Sequence, residues 1–497
     1  MRIAIVHFHL RTGGVTRVIQ HACAALAAAG HQVAVLSGEA PQRAGAFAAA
    51  RIEVIPALDY EEQREPLGPS ALRHAMEQAA QRALGGAPDL WHVHNHCLGK
   101  HLALPDALLG LAEAGQALLL QPHDFAEDGR PALYRRMLAT LGVQDGATLA
   151  ARLYPLAPQI HYATLNARDD RFLAAAGVPD AQRHRLPNAV SFAAESAPEA
   201  RSETGAKRGR AVTRLDHRRW LYPTRAIRRK NLGELLFWAA LAGPEERFAT
   251  TQAPHNPLEQ PRYTRWVALA QELALPVDFE LGARGDDFAA LLASSHALIG
   301  TSVGEGFGLA FLEPWLIGRP LAGRDLPEIT ADFSAEGIDL GGLYRRLPVP
   351  LAWLDASALR QRMDTALAAA AGAYGRARDP DDLARAWAAA VDRRDWIDVG
   401  RLDEEAQAQV LRHLHADPTA RSALDATTPP LTADADRIAH NRAIIEREYM
   451  LDGYRHRLEA IYRALLAAPS APVRDQADGQ ALIARFQAPE RLYLLRT

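Results

Sequence analysis

Short apolar runs, many rich in β-branched residues, alternate along the chain with longer stretches whose apolar positions recur every three to four residues. Ile3 to Phe8 is the first run, and Val33 to Leu36 the second. Runs apolar at successive positions suit parallel strands buried on both faces. Between them, Val15 to Ala29 has helical periodicity and Gly30 stands where a C-cap would. This is a βαβ unit with a glycine turn, Gly13-Gly14, after its first strand. The dinucleotide pattern Gly-x-Gly-x-x-Gly is absent from it. The alternation continues: Ile52–Ile55 as strand, Ser70–Leu84 as helix, then strands ending near His94, over Ala117–Gln121, His161–Leu165 and Arg185–Val190. A polar stretch, Glu195 to Arg214, reads as a linker. A second series follows: Trp220–Arg225, a helix through Ala240, a strand over Val277–Leu281, a helix over Asp286–Ser294, and a strand over Ala297–Gly300. Further on the pattern is helical, over Ser357–Ala371, Pro380–Val391 and one long stretch, Asn441–Leu466.

The expected class is α/β, with two Rossmann-like domains. A chain of 497 residues is too long for one ordinary core. The boundaries expected are 1–195, 216–400 and a helical remainder over 401–497. A net charge of -3 leaves no global pull toward nucleic acid or anionic lipid. Cys23 and Cys97 alone make no disulfide framework and fit a reducing compartment. The strand pattern begins at once after Met1, and no apolar run reaches the roughly 18 residues of a spanning helix. The reading is a cytoplasmic protein without an integral membrane segment; peripheral membrane contact stays open.

The stretch that carries most chemistry is Glu305-Gly306-Phe307-Gly308-Leu309-Ala310-Phe311-Leu312-Glu313. It lies between the Ala297–Gly300 run and a short helix, Pro314 to Ile317, stopped by Gly318-Arg319-Pro320. A Gly-rich turn at a helix N-terminus offers backbone amides to an anion. The flanking carboxylates would accept hydrogen bonds from sugar or ribose hydroxyls. Phosphate held by amides and hydroxyls held by acids describe a nucleotide-sugar.

Glu-x-Phe-Gly-x-x-x-x-Glu resembles the signature of retaining glycosyltransferases of family 4, which have the GT-B fold. Other stretches match that family in order. Gly13-Gly14 resembles the paired glycines that approach the donor after the first strand; a plain tight turn is the alternative. His123-Asp124, after the Ala117–Gln121 strand, resembles the family's His-Asp pair, whose His faces the reacting sugar. Leu186-Pro187-Asn188-Ala189-Val190 resembles its Pro-Asn-Gly segment, with Ala189 in place of Gly. Arg225 and Lys230 have the spacing of its Gly-Arg-x-x-x-x-Lys-Gly, with Thr224 and Asn231 replacing the glycines. Only three lysines occur, Lys100, Lys207 and Lys230, so one falling here weighs toward function over a solvated basic patch. Arg324 to Ile329 looks like the loop after the family's next strand.

The resemblance implies two domains facing across a cleft, donor mainly on the second, and C-terminal helices crossing back to the first. Asp395 to Ala435 would then be an insertion. The implied reaction moves a hexose from a nucleotide-diphosphate sugar, a co-substrate rather than a cofactor, to a hydroxyl on a sugar, lipid-linked sugar or small molecule. Catalytic roles would fall to His123, Asp124, Arg225, Lys230 and Glu305. Donor contacts would add Gly13, Gly14, Gly306, Phe307, Gly308, Leu309 and Glu313. Asn95, His96, Lys100, Glu127, Asp128 and Arg130 would lie on the acceptor side. No metal is implied. His92, His94 and His96 alternate, but no Cys or carboxylate completes a ligand set. No Asp-x-Asp stands ready either, Asp169-Asp170 and Asp286-Asp287 having helical contexts. Two other classes share the architecture: an NDP-sugar 2-epimerase or hydrolase, and a non-catalytic sugar-nucleotide-binding subunit.

Overall fold

A computed structural model describes residues 1–42, 45–60, 67–143, 145–190, 216–283, 288–425, 428–431 and 434–497. The Glu195–Arg214 stretch, which includes Lys207, and Asp286-Asp287 lie outside the described residues. The chain divides into two compact units. The first takes Met1–Ala189, Ala368–Arg378 and Glu448–Ala488; the second takes Val190–Leu367, Asp379–Arg447 and Pro489–Thr497.

The first unit is built on a parallel sheet of β1 (Arg2–His7), β2 (Gln32–Ser37), β3 (Arg51–Val54), β4 (Leu90–His94), β5 (Leu118–Gln121), β6 (Ile160–Thr164) and β7 (Arg183–Arg185). Their order is β3-β2-β1-β4-β5-β6-β7. Side chains leave β1 alternately toward two cores. Ile3 and Ile5 join Ile19, Leu26, Tyr454, Leu458 and Tyr462 on one face. Ala4 and Val6 join Leu72, Met76, Leu108 and Ile483 on the other. That is why Ile3 to Val6 is apolar at every position. The helix Leu451–Ala467 thus covers the same face of the sheet as the helix Gly14–Ala28.

The second unit repeats the plan. Its strands are β8 (Arg218–Arg225), β9 (Glu246–Gln252), β10 (Val277–Asp278), β11 (Ala297–Gly300), β12 (Leu321–Arg324) and β13 (Leu343–Tyr344), in the order β10-β9-β8-β11-β12-β13. Both sheets are doubly wound and reverse direction beside their first strand. Each therefore opens a crevice at the carboxyl ends of its first and fourth strands.

Several elements differ from expectation. The strand expected over Arg185–Val190 runs instead over Arg183–Arg185, stopping short of Pro187, which cannot donate to a ladder. β10 ends at Asp278, and Glu280, at φ 60°, turns the chain away. The long Asn441–Leu466 helix is two helices, Ala435–Glu448 and Leu451–Ala467, with Met450 extended between them. β9 carries Arg247, Thr250 and Thr251 and gives no apolar run to find. The Asp395–Ala435 stretch is integral rather than inserted. Trp396–Asp398 pairs antiparallel with Pro348–Pro350, and the helix Glu404–Ala416 places Ala406, Val410 and Leu411 in the second unit's core. Residues 401–497 are shared between the two units.

A fully buried ionic cluster fastens the second unit. Arg324, last in β12, donates to both oxygens of Glu234 and both of Asp398, at 2.6–3.1 Å. Tyr344 donates to Glu234 at 2.7 Å, and the Leu347 amide to Asp398 at 2.9 Å. Removing one member of such a cluster strands the others' charges in the core. Arg324→Met is expected to lower stability by about 3–5 kcal/mol in denaturant titration. A loss near zero would show that the cluster is not held as a unit.

Candidate active site

The crevice of the second unit lies where β8 runs into the turn Arg228–Lys230 and β11 into Thr301–Glu305. Asn231 follows Lys230 at φ 55°, a left-handed conformation that Asn tolerates better than most side chains. This explains how Asn replaces glycine here. Asn231 donates to Glu234 at 2.7 Å and accepts from Gln407 at 2.8 Å, so the buried cluster holds the turn. The two loops are also tied to each other. Thr301 Oγ1 reaches the carbonyls of Lys230 and Asn231, both at 3.0 Å, and the Val303 amide donates to Arg229 O at 2.9 Å.

These ties bring Lys230 and Glu305 into a partly buried ion pair, with Arg229 Nη1 on the other Glu305 oxygen at 3.1 Å. Burial alone would raise the Glu305 carboxyl; Lys230 and then Arg229 outweigh it and hold it at about 2. Burial likewise pulls the Lys230 ammonium below its ordinary value, against Glu305. Beside the pair opens a pocket lined by Tyr222, Lys230, Leu298, Ala310, Glu313 and others. Glu313 starts the helix Glu313–Leu316 on that wall. The residues between the two acids have structural reasons of their own. Phe307 packs edge-on to Phe333 at 5.5 Å between centroids. Gly308 has φ 94°, and a Cβ there would stand 2.8 Å from Phe311 and 2.9 Å from Ile329.

The structure thus gathers Lys230, Glu305 and Glu313, with Gly306 to Leu309 in the loop that joins the two acids. Arg225 is exposed at the end of β8, outside the ion pair. Arg229, not singled out by its spacing, stands beside Glu305 instead. Thr224 sits in the strand, buried, and Ala189 is buried in the first unit's core with no left-handed backbone, so neither position needs glycine.

In the first unit, the crevice lies beyond β1 and β4. Asn95, at φ 58°, accepts from the amides of His123 at 2.7 Å and Asp124 at 3.1 Å. It is a bracket that shapes the His123-Asp124 turn. His123 Nε2 is hydrogen-bonded to His94 Nδ1 at 2.8 Å, and His94 stacks on His92 at 4.4 Å. Burial holds these imidazoles neutral: His123 falls to about 4, His92 to about 3, and His94 well below its ordinary value. Asp124 is paired with Arg130 at 2.6 Å. Gly13 caps the helix Gly14–Ala28 in extended conformation, and a Cβ on Gly14 would meet nothing within 4 Å. Lys100 lies over the Tyr60 ring at 5.1 Å, and Asp128 is half-buried. Two acceptor-side expectations turn inward. His96 is buried and bonded to Leu153 O at 2.8 Å. Glu127 is buried and accepts from Tyr154 at 2.8 Å. Among the described residues, no group of three or more His, Cys, Asp or Glu could hold a metal ion, and no helix is long and apolar enough to cross a membrane.

Two doubly wound units, with acids and cations at a strand-end crevice, define the GT-B class of fold. Residues 12–194 match the family model Glycosyltransferase Family 4. A curated relative, mannosylglucosyl-3-phosphoglycerate synthase of Petrotoga mobilis (strain DSM 10674 / SJ95), is 28% identical over 253 residues. These are 49% of this chain and 48% of the relative, so the match spans about half the relative's length. Among solved structures, sucrose-phosphate synthase from Thermosynechococcus elongatus aligns at TM-score 0.52 and 16% identity, over 94% of this chain and 99% of that one. Anabaena HepE in complex with UDP and glucose aligns at TM-score 0.51 and 14% identity, over 93% and 99%.

The inward turn of Glu127 has a measurable consequence. Burial pushes its carboxyl up to about 7, against the Tyr154 hydrogen bond. The native state then keeps a proton that the unfolded chain loses from about pH 4.5, so stability falls between pH 4.5 and 7 and levels off above. Glu127→Gln should remove that fall and be more stable than the parent at pH 8 by about 3 kcal/mol. Unfolding at pH 5 and pH 8 checks it; a difference that does not change with pH would contradict the assignment.

Proposed function

We propose that the protein transfers a hexose from a nucleotide-diphosphate sugar to a hydroxyl acceptor, with retention of anomeric configuration and without a metal. One observation carries this: the partly buried Lys230–Glu305 pair at the second unit's switch point, beside a cavity that reaches Glu313. The family of residues 12–194 and the fold support it. So do the HepE complexes with UDP and with UDP-glucose, which place nucleotide and sugar on a protein of this fold.

In this reading the diphosphate takes the place beside Lys230 and Arg229, whose side chains already converge on one anion. The turn amides of Phe307, Gly308 and Leu309 add to the field. Glu313 accepts from ribose hydroxyls and Glu305 from the sugar. Arg225, exposed at the strand end, is free to approach the phosphates from solvent. As the bond from the anomeric carbon to the phosphate oxygen breaks, the pair of electrons stays on the phosphate. The acceptor oxygen bonds to the same carbon on the same face and passes its proton to a phosphate oxygen. Lys230 and its neighbours stabilise the charge that grows on the leaving group, the kind of contribution that costs about 10²–10³ in rate when one donor is removed. On the first unit, Asn95 and His94 hold His123 and Asp124, the residues proposed to meet sugar and acceptor.

The test is thermal unfolding with UDP-, GDP-, ADP- and dTDP-sugars. A ligand at 100 times its dissociation constant stabilises by about 2.7 kcal/mol. One nucleotide class should raise the melting temperature, and Lys230→Ala should abolish both that shift and transfer while remaining folded, since Arg229 still pairs Glu305. A folded Lys230→Ala protein with near-normal turnover would contradict the role. Free sugar released without acceptor would make the protein a hydrolase instead.

A further inference from the structure

The last residues of the chain carry no motif, yet the structure fastens them to the candidate donor loop. Leu494 and Leu495 are buried, and Leu494 belongs to the second unit's core. Arg401 donates to the carbonyls of Glu490 at 2.8 Å and Leu492 at 2.5 Å and lies over the Tyr493 ring at 3.9 Å. Arg491 pairs with Glu328, and Arg228 donates to Thr497 O. Arg228 is itself held by Glu404 at 2.7 Å. Anchors on both sides therefore fix the backbone of Arg496.

Its side chain lies against Gly304, the residue before Glu305. A Cβ built on Gly304 would stand 3.1 Å from Arg496 Nε, 3.3 Å from Cδ and 3.4 Å from Cζ. The bare glycine thus leaves room for the arginine stem. The Gly304 carbonyl meanwhile accepts from Arg229, and the next residue holds Lys230. Three cations from two segments, Arg229 and Lys230 from one turn and Arg496 from the other, converge on Ser302–Glu305.

We propose that Arg496 is a binding residue of the donor site, supplying the planar fork that grips the diphosphate next to Lys230 and Arg229. A planar guanidinium matches two phosphate oxygens at once, which the Lys230 point charge does not. The inference rests on the nucleotide-sugar reading above. It adds that the chain's final segment completes the anion site, in a position that motif spacing does not reach.

The test is titration calorimetry with UDP, GDP, ADP and dTDP, and with inorganic pyrophosphate, on the full chain, Arg496→Gln and Arg496→Lys. The matching nucleoside is the phosphate-free control. Losing one charge-assisted contact should weaken the bound nucleotide and pyrophosphate about tenfold or more. The nucleoside should bind unchanged, and the melting temperature without ligand should hold, because Leu494 and Leu495 still anchor the segment. Arg496→Lys keeps the charge without the fork and should fall between. Nucleotide binding by Arg496→Gln equal to the parent's would overturn this inference and leave the donor reading standing. No binding of any nucleotide or pyrophosphate by the parent would overturn both. Equal losses for nucleoside and nucleotide would mean that the residue shapes the loop and does not touch phosphate.

Discussion

The arrangement of the second unit depends on one buried guanidinium. Arg324 stands where β12 ends, at 0% exposure, and spends its donors on Glu234 and Asp398. Bringing three charges out of water costs several kcal/mol each unless every lone pair and proton is met. Here the geometry meets them, since each carboxylate also accepts from a second source, Tyr344 for Glu234 and the Leu347 amide for Asp398. The consequence for chemistry is positional. Glu234 is in the first turn of the helix Leu232–Ala240, and it takes the Asn231 side chain. Asn231 is the left-handed residue after Lys230. A core interaction thus sets the direction of a side chain at the edge of a cavity.

The loops around that side chain are ordered by the same economy of hydrogen bonds. Thr301 and Ser302 spend their hydroxyls on the carbonyls of Arg229, Lys230 and Asn231. The ion pair of Lys230 with Glu305 is therefore held by the protein before any ligand arrives. Such preorganisation fits the electrostatic role proposed for Lys230. The first unit solves a different problem. Its strand-end histidines are buried and stay neutral, and they orient one another by ring stacking and by one shared hydrogen bond.

Much of this was legible in the chain, for physical reasons that differ by element. Strands buried on both faces announce themselves, as Ile3 to Val6 and Ala297 to Ile299 do. β9 does not, because Arg247 and its threonines break the run. The spacing of Lys230, Glu305 and Glu313 marked residues that the fold brings together. It could not show that Arg225 stands apart and Arg229 stands close, since that depends on where the strand stops. Nor could it show that Asn231 stands in a left-handed position that Asn tolerates better than most side chains, because φ is not written in the spacing. The stretch read as an insertion supplies Asp398, Gln407 and Glu404, contacts made far from their neighbours in sequence. Glu127 and His96 looked like loop polar groups; burial against Tyr154 and the Leu153 carbonyl is a tertiary fact. Arg496 had no signal in the chain, since its meaning lies only in the glycine it covers.

The most direct test is a crystal structure with the bound nucleotide-diphosphate. The account predicts phosphate oxygens within hydrogen-bonding distance of Lys230 Nζ, with the ribose hydroxyls on Glu313. A nucleotide lodged elsewhere, with Lys230 still closed on Glu305 and Glu313 untouched, would contradict it.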